Sequence, residues 1–140
     1  MRIADVCTWV EDAIAIACLF RCLLRMLWRL RVANQRWRIY LRMLIDENRW
    51  RAQRYGIEAS FASEQGPIPL SRFLDDVIDP VAVHAMQLQC LDDVLHCKRI
   101  VERGTSSDRQ IEIFDTATRK VPQSEALQQV CAWIARTSLA

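Results

Sequence analysis

Through residue 65 the chain holds no proline and one glycine, Gly56. A stretch that lacks both strong helix breakers for so long is suited to long helices. The four prolines, Pro67, Pro69, Pro80 and Pro122, all come later, and they predict shorter elements there. Half of the 140 residues are apolar and a quarter are charged, which is the make-up of one globular unit rather than a disordered segment.

Helical spacing fills in the first half. Residues 10–30 are strongly apolar, and Ala13, Ala17, Phe20, Leu24 and Leu27 recur at helical intervals. Arg21, Arg25 and Arg29 form an i, i+4 row on another face, which runs back through Cys18 and Ile14. The helix therefore reads as buried all round at its start and amphipathic later. A membrane span needs about 20 mostly apolar residues, and three interior arginines argue against one. Asn34 reads as the N-cap of a second helix over 35–55, with Trp37, Tyr40, Leu41, Leu44 and Ile45 on one side and Gly56 as its stop. Two such helices with a short join predict an antiparallel hairpin over 10–56.

The remaining pieces are shorter. Residues 2–8 alternate in part and predict one N-terminal strand. Residues 57–69 predict a small β-hairpin or an ordered loop, turning at Glu64-Gln65-Gly66. A short helix over 70–79, capped by Ser71, is expected to end before Pro80, and a third long helix over 81–103 to stop at Gly104. Residues 105–108 have the form of a capping box that opens the next helix, and Ser124 caps the last one. The fold class expected is mainly α, with residues 70–140 forming a helical bundle.

Charge divides the chain. Residues 1–56 carry eleven Arg against five acids, a net of +6, whereas residues 57–140 carry eight basic groups against twelve acids, a net of −4. The basic half suits an anionic ligand, an acidic partner or the acidic half of its own fold. No DNA- or RNA-binding signature accompanies it, so nucleic acid is not expected as a partner. The six cysteines form no CxxC pair, and His84, Cys90, His96 and Cys97 lack a zinc-type spacing, so neither a metal site nor a catalytic cysteine is expected. Asp5, Glu11 and Asp12 stand where a secretory leader would be basic, which predicts a cytoplasmic protein with reduced thiols and no membrane segment. Three isolated glycines cannot build a phosphate loop.

Two blocks could carry chemistry. In ENRWRAQRYG (47–56), Asn48, Arg51 and Arg54 are three apart along one helix edge. They could present an amide and two guanidinium forks to a carboxylate or phosphoryl group. The bland reading is that Trp50 packs, that Arg51 and Arg54 pair with Asp46, Glu47 or acids of the second half, and that Gly56 is only a cap. In GTSSDRQ (104–110), the amides of a helix start could hold an anion, or the block is only a stop followed by a cap.

Read together, RIADVCTWVEDAIAIA (2–17), RCLLRMLWRLR (21–31), NQRWRIYLRMLIDENRWRAQRYG (34–56) and ERGTSSDRQIEIF (102–114) resemble the C-terminal third of the carboxylate-amine ligases of the glutamate–cysteine ligase type 2 family. QSEALQQVCAWIARTS (123–138) fits the family's closing helix, and Ser107 stands in place of Ala in the family's G-T-x-A-D-R-Q form. The resemblance implies the helical C-terminal portion of a glutamine-synthetase-like α+β fold. It also implies activation of a carboxylate by ATP as an acyl phosphate, followed by attack of an amine. ATP and Mg2+ would be held by carboxylates on a curved antiparallel sheet whose strands are not among these residues. Arg2 and Asp5 match the end of an E-x-R-x-x-D strand motif.

The substrate- or phosphate-binding candidates are therefore Arg2, Asp5, Asn48, Arg51, Arg54, Asp108 and Arg109. The chain is expected to be inactive alone, as a truncated product, a separately encoded segment or a chain with a misassigned start. Its implied partners are the N-terminal catalytic region or further copies of itself, with a small amino acid as substrate of the complete enzyme. A helical protein–protein interaction module without catalysis is the alternative.

Overall fold

The computed structural model describes residues 7–37 and 40–138. The strand expected over 2–8 lies outside these residues except for Cys7 and Thr8, neither of which is in a strand. The described residues form six α-helices, a short 3-10 turn at Gly56–Glu58 and one hairpin, so the protein is mainly α. In order they are α1 (Val10–Val32), α2 (Arg42–Tyr55), β1 (Ser60–Ser63), β2 (Gly66–Pro69), α3 (Leu70–Gln87), α4 (Leu91–Arg103), α5 (Ser106–Thr118) and α6 (Gln123–Ser138).

Two helix ends fall where the sequence does not announce them. Asn34 has φ 55°, its N–H donates to the Arg31 carbonyl at 3.0 Å, and the Gln35 N–H donates to the Leu30 carbonyl at 2.7 Å. That pair of bonds closes a helix C-terminus. Asn34 thus ends α1 instead of opening α2, which begins only at Arg42. Gln89 does the same for α3: at φ 54° it donates to Met86, and Cys90 donates to Ala85. The break expected at Pro80 is therefore displaced to 88–90, and α3 runs through the proline. An interior proline costs a helix about 3 kcal/mol. Against it, α3 buries Val77, Ile78, Val81, His84 and Ala85 on one side. Each large apolar member returns roughly 1.5–3 kcal/mol, so burial wins.

The core lies between α1, α3 and α4. Ala15, Cys22 and Met26 of α1 meet Ile78, Val81 and Ala85 of α3, and Val94 and Cys97 of α4. The expected α1–α2 hairpin does not form: α1 packs on α4 and α3, while α2 buries no residue of its own and rests on β1. α5 and α6 pair with each other.

An acid sits in the core. Asp12 is only 4% exposed, and both of its oxygens are used. His96 Nε2 lies 2.9 Å from Oδ1, and Arg103 Nη2 donates to Oδ2 at 2.6 Å. A buried carboxylate needs such partners to stay charged. The Arg103 guanidinium also lies 4.0 Å above the Trp9 ring, and Trp9 meets Trp133 edge-on at 5.5 Å. This chain of contacts ties the start of α1 to α4 and α6.

Candidate functional site

The block 47–56 forms the C-terminal half of α2, and its polar side chains meet the hairpin. In β1–β2, Phe61 pairs with Ile68, Ala62 with Pro67 and Ser63 with Gly66 across a two-residue turn. In such a hairpin the Ala62–Pro67 pair is the one that exchanges no ladder bonds. The N–H and C=O of Ala62 therefore point away from β2, toward α2. Asn48 takes both: its Oδ1 accepts from the Ala62 N–H at 2.6 Å, and its Nδ2 donates to the Ala62 carbonyl at 2.9 Å. Arg51 adds a bond from Nη1 to the Ser60 carbonyl at 3.1 Å, and its Nε donates to Glu47 at 2.7 Å. Two of the candidate binding residues thus act as a clamp, and the amide of Asn48 behaves like a third strand.

Arg54, one turn beyond Arg51, is different. It is exposed and has no hydrogen-bond or ion-pair partner among the described residues. Arg49 is likewise exposed, and Trp50 and Tyr55 meet edge-on at 5.8 Å on the surface beside them. The other side of the clamp is apolar: a cleft of about 170 Å3 lies between α2, the hairpin and α3, lined by Tyr40, Leu44, Ile45, Phe61, Ile68 and Phe73 among others. Phe61 and Phe73 meet edge-on at 4.9 Å inside it.

The second block opens α5 as a complete capping box. The Thr105 N–H and Oγ1 both donate to Asp108 Oδ2 at 2.7 Å, and the Asp108 N–H donates back to Oγ1 at 3.4 Å. Asp108 thus places its own carboxylate at the start of the helix. Arg109 pairs with Glu112 on the surface of the same helix. Of the seven candidates, then, Asn48, Arg51 and Arg54 share one helix edge, Asp108 and Arg109 stand on an element that packs on α6, and Arg2 and Asp5 lie outside the described residues.

The described residues offer no ligand set for a metal–nucleotide site. Among the described residues no three His, Cys, Asp or Glu side chains gather as metal ligands would. The two acids of α2 are paired, Asp46 with Arg42 at 3.2 Å and Glu47 with Arg51.

Four thiols meet on the α1–α4 seam instead, with Cys22 Sγ 3.7 Å from Cys90 Sγ and Cys18 Sγ 3.7 Å from Asp93 Oδ2. Burial, followed by neighbouring Cys90 and Asp93, pushes the Cys18 thiol up, and burial followed by Cys18 pushes Cys97 up to about 11. A raised thiol pKa at Cys18 and Cys97 suits packing better than nucleophilic attack.

The Asp12–His96–Arg103 cluster was not anticipated from the sequence. The available signal was an acid in the first turn of a strongly apolar helix, which must find partners if that turn is buried.

Comparison with known proteins places the chain among one set of relatives. The family model described as glutamate-cysteine ligase family 2 matches residues 1–133. A Rhodospirillum rubrum protein named "Putative glutamate--cysteine ligase 2" is 49% identical over 119 residues, covering 84% of this chain and 31% of that protein. Proteins of the same name from Bradyrhizobium diazoefficiens and Jannaschia sp. are 39% and 44% identical, over 99% and 81% of this chain and 31% and 30% of their own lengths. The chain thus spans about a third of the length of the curated relatives it matches. No solved structure matches it.

Proposed function

The chain belongs to glutamate-cysteine ligase family 2, and from that membership we propose that it is the helical part of an ATP-dependent carboxylate-amine ligase. The reaction is amide formation between two amino acids through an acyl phosphate, with glutamate and cysteine as the pair the relatives' names suggest. The observation that carries this reading is the family match across residues 1–133.

In this reading the chain contributes scaffolding and one cationic edge. Asn48 and Arg51 fix the hairpin on α2, and Arg54 is left free to meet a carboxylate or phosphoryl oxygen with its planar fork. The carboxylates that hold metal and nucleotide belong to the portion of the family's fold outside the matched third, and no turnover is expected from residues 1–140 alone.

The test joins the unmatched two-thirds of the Rhodospirillum rubrum relative to residues 1–140 in one polypeptide. ATP, glutamate and cysteine are supplied, and ADP and the dipeptide are followed by mass spectrometry. Product from the joined protein and none from residues 1–140 is the expected result. A folded joined protein that forms no amide from any amino acid pair overturns the reading. Product from residues 1–140 alone overturns the division of labour.

A further inference from the structure

Helix α1 carries two apolar faces, and only one of them is used. The core face holds Ala15, Cys22 and Met26. The series that recurs at helical intervals in the sequence, Ala13, Ala17, Phe20, Leu24 and Leu27, is turned outward, and each of these residues is exposed. Trp28 and Val32 extend it, at 68% and 71% exposure, and Leu24 is 52% exposed. A 23-residue helix is about 34 Å long, so this is a continuous stripe, not a scatter of surface side chains. No helix among the described residues is long and apolar enough to cross a membrane.

The rim of the stripe is cationic and under-neutralised. Arg21, Arg25 and Arg29 follow one another along its edge. Arg25 and Arg29 both donate to the same neutral acceptor, Gln87 Oε1, at 3.2 and 3.3 Å. Two guanidinium groups on one amide oxygen leave room for carboxylates, which bind such forks more strongly.

Each relative is about three times as long as the part this chain matches. We infer that the outer face of α1 is the docking surface for the remaining two-thirds of the family's fold, which presents an apolar patch rimmed by carboxylates. That inference rests on the ligase reading for the identity of the partner, but its test does not depend on catalysis.

The unmatched portion of the Rhodospirillum rubrum relative is co-expressed with residues 1–140 and with two variants. One carries Leu24→Glu and Trp28→Glu on the stripe; the other carries Ile111→Glu, an equally exposed apolar position on α5. Complex formation is read by light scattering after gel filtration, and affinity by titration. A 1:1 complex is expected for the wild type and for Ile111→Glu, with at least a tenfold loss for the stripe variant and an unchanged melting curve for that variant alone. Absence of a wild-type complex overturns the inference, as does equal affinity of all three. So does a stripe-dependent homodimer or stripe-dependent binding to anionic vesicles in place of the complex.

If the unmatched portion is insoluble by itself, the same variants are placed in the joined polypeptide. Burial of the stripe predicts a lower melting midpoint there and none in residues 1–140, and equal shifts in both overturn it. A stripe-dependent complex that makes no amide would count against the ligase reading and leave the docking surface standing.

Discussion

The first two helices share a high arginine content and are opposite in how they are held. Both are rich in arginine and aromatics. Yet α1 places Ala15, Cys22 and Met26 in the core, whereas α2 buries nothing. α1 is fixed by apolar area, which tolerates small shifts in geometry. α2 is fixed to the hairpin by three hydrogen bonds from Asn48 and Arg51, which do not. The first kind of attachment gives stability, and the second gives position. Under the proposed function, a helix that aims Arg54 needs position more.

The contrast can be broken from the apolar side first. Ile78 is among the largest fully buried side chains, and Ile78→Ala is expected to cost about 2–5 kcal/mol. Urea unfolding followed by circular dichroism should show the whole bundle lose stability together. From the polar side, Asn48→Ala removes two bonds to Ala62 and should cost about 1–3 kcal/mol. Its mark is local: amide exchange at Ala62 should quicken many-fold, while Val81 and Val94 in the core keep their protection. Equal acceleration everywhere would mean that α2 and the core unfold as one unit.

A proton sharpens the comparison further. Burial first, then Arg29 and Arg25, hold the imidazole of His84 below its ordinary value of 6.5. The unfolded chain therefore takes up that proton at a higher pH than the folded one does. The stability involved is full above about 6.5 and is lost as the pH falls through that value toward the lowered folded pKa. Urea midpoints of wild type and His84→Gln at pH 7.5, 6.5 and 5.5 should show a shallower acid decline in the variant, with the exchange of Ala62 unaffected.

The smallest effect on stability belongs to Arg54→Ala, within about 0.5 kcal/mol, because the side chain is exposed and has no partner among the described residues. In the joined polypeptide the same change should lower turnover. Unchanged turnover would return Arg54 to the solvent.

Much of the local chemistry was legible in the residues. The turn at Glu64-Gln65-Gly66 is there, with Gly66 at φ 113°, and the capping box at Thr105 and Asp108 is complete. Both are decided within four residues, where side-chain chemistry acts directly on the backbone. What was not legible needed the third dimension. Pro80 reads as a boundary because the local cost is visible and the buried face that outweighs it is not. Asn34 and Gln89 take a positive φ that neither residue type demands, because the next element must leave in that direction. Periodicity found the apolar series on α1 but could not say which of its two faces this chain would cover. Asn48 and Arg51 were picked out for their polarity, and only the hairpin's register reveals what that polarity grips.

The register has one more result. On β1 the carbonyl of Ser60 and both the amide and the carbonyl of Ala62 are occupied by α2. On β2 the residues opposite them are Pro67 and Pro69, which have no N–H to offer a newcomer. Both margins of the two-stranded ribbon are poor templates for backbone pairing. A concentrated solution of this protein should therefore associate through its greasy helix surfaces, and it should resist fibril growth seeded on the ribbon.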